Sequence, residues 1–128
     1  MTSPRIMIID DEERIRQLLF DYLEDYGFSL RACVSAEEAL ETLTAEPADL
    51  CIVDMRLPGM DGRAFILAAQ ARGLCSKHIL HTGSMDFALT PELTARGLGE
   101  EDVFFKPCDM ALMLKRIRTL LNLPGDDA

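Results

Sequence analysis

Five short and almost wholly apolar stretches alternate with longer segments of helical periodicity, and no other feature of the sequence constrains the fold as tightly. Such alternation marks βα units laid on a parallel sheet. Residues 5–9 (RIMII) lack polar alternation, as a central strand covered on both faces should. Ile15, Leu18, Leu19, Tyr22, Leu23 and Tyr26 then recur at steps of three and four, predicting a first helix with these residues inward, ended by Gly27. A second strand is expected over residues 29–34. Ser35 with Glu38 three positions on reads as a capping box for a second helix that buries Ala36, Ala39, Leu40 and Leu43.

Residues 50–53 (LCIV) form the third expected strand, and 57–62 (LPGMDG) carry turn chemistry before a third helix running to about Arg72. A fourth strand is expected over 77–81. Residues 86–101 hold a proline, two glycines and little periodicity, so the helix expected there is short or mobile. Residues 103–105 supply the fifth strand. Asp109 caps a last helix with Leu112, Met113, Ile117, Leu120 and Leu121 inward, Pro124 and Gly125 stop it, and the acidic tail at 126–128 frays.

A length of 128 residues suits one domain over 1–128 with a core at about 5–121. The net charge of −9 sets the molecule against phosphate backbones and anionic lipid, which argues against direct DNA or membrane binding and points to protein partners. The first residues do not resemble a secretory signal, and no apolar run approaches the ~18 residues of a membrane span, so a cytoplasmic location is expected. Cys33, Cys51, Cys75 and Cys108 are spaced too widely for a CxxC motif and read as reduced packing residues.

Open parallel sheets bind ligands outside the carboxyl ends of their strands. Those ends here carry Asp10 and Asp11 on strand one, Asp54 on strand three, Thr82 on strand four and Lys106 on strand five. With a strand order of 2-1-3-4-5, the three carboxylates converge. Their mutual repulsion then calls for a hard divalent cation, and an all-oxygen set suits Mg2+. Lys106 adds a compact positive charge able to hold a carboxylate or a phosphoryl oxygen, and Thr82 adds a hydroxyl. An aspartate between a metal and a lysine is a reasonable nucleophile for phosphoryl transfer. Taken singly, Asp10 and Asp11 would read as a helix N-terminus favouring negative charge, and Asp54 as a turn or cap residue. It is their joint placement at strand ends that points to a site.

These residues resemble the receiver domains of bacterial two-component response regulators. The likeness runs from Arg5 to about Leu121 and rests on IIDDEE at 8–13, VDMRLPGMDG at 53–62, HTG at 81–83 and FKP at 105–107. It implies a flavodoxin-like α/β sandwich with a five-stranded parallel sheet. Asp54 would be the phosphoacceptor, Asp10 and Asp11 the acidic pair with Asp11 the more direct metal ligand, and the Arg56 backbone carbonyl a further Mg2+ ligand. Thr82 would be the switch hydroxyl, Lys106 the phosphoryl-contacting lysine, and the bond before Pro107 cis. The resemblance also implies a sensor histidine kinase or histidine phosphotransfer protein as donor and a protein target or phosphorelay as output. The only chemistry expected is self-catalysed phosphotransfer and dephosphorylation, with no turnover enzyme. A near-complete conformational switch would require about 5.5 kcal/mol of differential stabilisation.

Two departures stand out. Val103 occupies the position, three before Lys106, where many relatives carry a switch aromatic, with Phe105 on its own face of the strand and Phe104 on the other. The segment 86–101 is atypical as well, which bears on a possible homodimer through the helix 4 to helix 5 face. Arg56 and Ser84 lie near the expected phosphoryl group, where they would tune hydrolysis.

Three other readings compete. A phosphatase of the haloacid dehalogenase type needs an acid two residues after its nucleophile, where this chain has Arg56. A receiver-shaped interaction module that is never phosphorylated would have no need of the complete set Asp10, Asp11, Asp54, Thr82 and Lys106. A metal site using His78 and His81 meets the difficulty that strand residues three apart face opposite ways.

Overall fold

A computed structural model describes residues 3–123. The elements, in chain order, are β1 (Arg5–Ile9), α1 (Glu13–Glu24), β2 (Ser29–Cys33), α2 (Ala36–Ala45), β3 (Leu50–Val53), α3 (Gly62–Ala71), β4 (Lys77–Thr82), α4 (Pro91–Ala95), a single 3-10 turn (Glu100–Asp102), β5 (Val103–Phe105) and α5 (Met110–Leu120). The strands form one parallel sheet in the order β2-β1-β3-β4-β5. This is the parallel βα architecture that the alternation of strands and helices predicts, in the flavodoxin-like form that the receiver resemblance implies.

The central strands β1 and β3 are apolar from Ile6 to Ile9 and from Leu50 to Val53 because each face of the sheet carries its own core. Met7, Ile9, Cys51, Val53 and Leu80 point to the side covered by α2, α3 and α4, where they meet Leu40, Leu43, Phe65, Ile66 and Leu93. Ile6, Ile8, Leu50, Ile52 and Ile79 point to the other side, against Leu19 and Leu23 of α1 and Met113, Leu114 and Ile117 of α5. Burial of each of these side chains is worth about 1.5–3 kcal/mol.

Two expected core residues are on the surface. Leu18 is 54% exposed and Leu112 58%. Each precedes a buried neighbour, Leu19 or Met113, and adjacent helical residues lie ~100° apart, so the sheet takes one of each pair and leaves the other. Tyr26 is exposed as well, beyond the end of α1 and beneath the Arg118 guanidinium. The capping box at α2 is shifted. Ser35 Oγ accepts from the Glu38 N–H at 3.1 Å, but the Glu38 carboxylate accepts from the N–H of Val34 and not from that of Ser35.

Segment 86–102 is thinly structured. Thr90 caps α4 by accepting from the Leu93 N–H, Pro91 starts it, and Gly97 at φ 93° carries the chain away after a single turn and a half. At its far end Asn122 adopts φ 57° after α5, with the Leu123 N–H bonded to the Arg118 carbonyl at 2.8 Å. Asn122 therefore turns the chain before Pro124 and Gly125 are reached; those two residues and the tail at 126–128 lie outside the described residues.

Candidate functional site

Parallel pairing sets the site's geometry. The Asp10 N–H bonds to Cys33 O at 3.2 Å and the Asp54 N–H to Ile9 O at 2.9 Å, so both aspartates extend the ladder just beyond β1 and β3. Donor oxygens of Asp10, Asp11 and Asp54 all lie within 4.8 Å of one another. Asp10 and Asp54 are buried, at 1% and 4% exposure, whereas Asp11 faces solvent. Across the cluster, Lys106 Nζ stands 2.8 Å from Asp10 Oδ2 and 3.4 Å from Asp54 Oδ2, with Glu12 Oε1 at 4.0 Å.

The remaining carboxylate oxygens are also held. Asp10 Oδ1 accepts from the Glu12 N–H at 2.8 Å, and Asp54 Oδ1 from the Arg56 N–H at 3.0 Å. Thr82 is fully buried at the end of β4, where its Oγ1 accepts from the Ser84 N–H at 3.1 Å. Its carbonyl accepts from the Lys106 N–H at 2.8 Å, tying β4 to the lysine that enters the site. The Lys106–Pro107 bond is cis.

Burial pushes the Asp54 carboxyl above its ordinary pKa and the Asp10 charge adds to this, while the Arg56 N–H and the Lys106 ammonium pull the other way without cancelling it. For Lys106 burial works downward, but the Asp10 and Asp54 carboxylates outweigh it and its pKa is raised. Two buried carboxylates share one ammonium, and with the third carboxylate of Asp11 beside them the cluster keeps an excess of negative charge. Its donors are oxygens alone, which fits a hard divalent cation better than a thiophilic one.

Several supporting residues carry no signal in the sequence. Arg16 reaches back from α1 to donate to the Asp10 carbonyl at 2.7 Å. Glu37 Oε2 accepts from the Met60 N–H at 3.0 Å and so anchors the loop that follows Asp54. Gly59 in that loop adopts φ 76°, and Gly62 sits so close to the Asp54 carbonyl that an added Cβ would fall 2.8 Å from it. His81 is buried next to the site, and burial followed by the Lys106 charge lowers its pKa to about 4. Arg56 is exposed, and it contributes its backbone N–H to Asp54.

A family model described as the response regulator receiver domain matches residues 6–118. The chain belongs to the response regulator receiver family. It is 33% identical to the response regulator protein PilR of Pseudomonas aeruginosa over 100% of this chain and 28% of that protein. It is also 33% identical to the transcriptional regulatory protein GltR of the same organism, over 91% of this chain and 48% of GltR. This receiver chain thus spans about a quarter to a half of the length of those two relatives. Among solved structures, the response regulator StyR aligns with a TM-score of 0.84 at 25% identity, covering 94% of this chain and 60% of that one. The receiver domain of an HD domain-containing protein from Pseudomonas fluorescens Pf-5 gives 0.78 at 29% identity, covering 94% and 95%.

Proposed function

We propose that this receiver takes a phosphoryl group from the phosphohistidine of a sensor kinase or phosphotransfer protein onto Asp54, in the cytoplasm and in the presence of Mg2+. The observation that supports the reading most is Lys106 Nζ bridging the buried Asp10 and Asp54 carboxylates at 2.8 and 3.4 Å. An aspartate so placed can offer an oxygen to phosphorus as Lys106 shifts from the carboxylate to the incoming group, whose charges find that cation already in position.

In this reading an Asp54 oxygen attacks the phosphorus, the P–N bond to the donor histidine breaks, and the electron pair returns to the imidazole. Asp10, Asp11, Asp54 and the Arg56 carbonyl would hold the Mg2+ ion, which supplies neutralising charge at the phosphoryl oxygens. Lys106 moves from pairing carboxylates to pairing a phosphoryl oxygen. Thr82 exchanges its bond from the Ser84 N–H for one to the new phosphoryl group, shifting a pre-existing equilibrium of the β4–α4 side. The output is a changed protein-binding face or onward relay, and a homodimer through the α4–α5 face is one form such an output could take.

Phosphotransfer from a panel of radiolabelled histidine kinases tests the reading. Rapid labelling by one or a few kinases, absent from Asp54→Asn, is the expected result. Equal labelling of the variant would place the acceptor elsewhere.

A further inference from the structure

We propose that Cys51, Cys75 and His78 form a second metal site, for a thiophilic divalent ion of the Zn2+ class, at the amino ends of β3 and β4. Cys75 and His78 lie three residues apart, and Cys51, well upstream, is brought to them by the same parallel ladder that builds the acidic site. Cys51 and His78 are direct partners in the β3–β4 register, and Cys75 lies just before β4. One ligand atom of each lies within 4.8 Å of the other two. All three are buried, at 0%, 4% and 1% exposure.

The imidazole is what packing alone does not explain. His78 Nε2 is buried without a hydrogen-bond partner, while Nδ1 has the Gln70 amide at 3.5 Å and the ring edge meets Phe65. An apolar side chain would fill this space with no unpaired nitrogen, whose desolvation is costly. Burial holds the ring's pKa to about 4, so it is neutral; with its proton on Nδ1 and the Gln70 amide turned to present its oxygen there, Nε2 has a lone pair for a metal. Two sulfurs and one nitrogen, with no carboxylate, make a donor set for a soft or borderline ion and the converse of the Asp10, Asp11 and Asp54 set.

Charge and access both fit. When Zn2+ binds, two S–Zn bonds form, the two thiol protons leave to solvent, and the imidazole lone pair completes the protein's share. Two thiolates and one divalent ion sum to zero, which a buried site tolerates. With bonds of ~2.0–2.3 Å, the donor atoms need to draw in by about an ångström. Cys75 gives up its present bond to the Lys77 carbonyl. A surface cleft of about 440 Å³, whose lining includes Pro47, Gln70, Gly73, Ser76 and Arg96, reaches Cys75, the side of the cluster from which an ion would enter.

Titration of the whole reduced, metal-free chain with Co2+ tests the proposal. One equivalent should raise a near-ultraviolet thiolate-to-cobalt charge-transfer band with the strong visible bands of tetrahedral cobalt, and Zn2+ should abolish both. Excess Mg2+ should leave them unchanged, as should Asp54→Asn and the Cys33→Ser, Cys108→Ser pair. Cys51→Ala, Cys75→Ala and His78→Gln should each weaken Zn2+ binding by more than the roughly 10–100-fold that loss of an outer-shell partner costs. Circular dichroism identifies any variant that fails to fold; the intact chain decides the matter alone in that case. A folded wild-type chain with no charge-transfer band would overturn the proposal. So would bands that Mg2+ or Asp54→Asn removes, or that survive loss of both Cys51 and Cys75.

Discussion

The rim around Asp54 and the stretch between β4 and β5 sit side by side on one sheet, yet they are built on opposite plans. At the rim, backbone ladders from β1, β3 and β4 fix Asp10, Asp54 and Thr82, and each of the three side chains has a close partner. The stretch from 86 to 102 has one five-residue helix, a 3-10 turn and a few polar ties. Those ties are the Arg63–Glu92 ion pair and buried Asp102, which accepts from Arg116 Nε at 2.7 Å and from the Gly99 N–H at 2.9 Å. A rigid reaction centre next to a loosely held segment is what a two-state signal requires, because only the second can move at small cost.

The contrast can be broken most severely at Lys106. Lys106→Ala leaves two buried carboxylates facing one another, and denaturant unfolding in metal-free buffer should show a loss of about 3 kcal/mol, part of it restored by Mg2+. An unchanged midpoint would mean that the rim is not held by this charge balance. Next in size, Arg116→Ala should cost about 2 kcal/mol by stripping Asp102 of its guanidinium partner. Hydrogen exchange should then quicken across residues 86–102 and stay slow in β1 and β3; uniform quickening would show that the two regions open as one.

A smaller effect is expected at Asp54. Because the folded pKa of Asp54 lies above its ordinary value, the folded state binds this proton more tightly than the unfolded chain. Its contribution to stability is therefore best at acid pH and declines as pH rises from the ordinary carboxylate pKa through the raised one. Asp54→Asn should accordingly melt higher at neutral pH, by roughly 3–5 °C for a change of about 1 kcal/mol, with the gap closing on acidification. A gap that widens toward low pH would reverse the sign of the argument. Smallest of all, Glu92→Gln removes one member of an exposed pair and should shift stability by no more than about 0.5 kcal/mol.

The same contrast explains what could be read from the sequence. Strands covered on both faces must be apolar, so β1, β3 and β4 announce themselves, and polar residues following them stand at the sheet's carboxyl edge by construction. Asp10, Asp54, Thr82 and Lys106 were legible for that reason. Which of two neighbouring leucines faces the sheet was not, since Leu18 and Leu19 both satisfy a helical repeat and only packing chooses between them. Asp102 looked like one more surface acid in an acidic run, and its burial depends on Arg116 arriving from a different element. Nor could spacing join Cys51 to Cys75 and His78, because their proximity comes from strand register and not from any local motif. The expectation that His78 and His81 do not share an ion fits the structure, in which His78 meets Phe65 and His81 lies near Lys106.

The central claim is that Asp54 is the nucleophile of an acidic pocket held by one lysine and completed by Mg2+. Its most direct test is intact-mass measurement after treatment with a small phosphodonor in Mg2+, followed by borohydride reduction of the acyl phosphate and peptide mapping. The account predicts one added phosphoryl group, dependence on Mg2+, and homoserine at position 54. A phosphoryl group that forms without metal, or one that maps to any other residue, would contradict it.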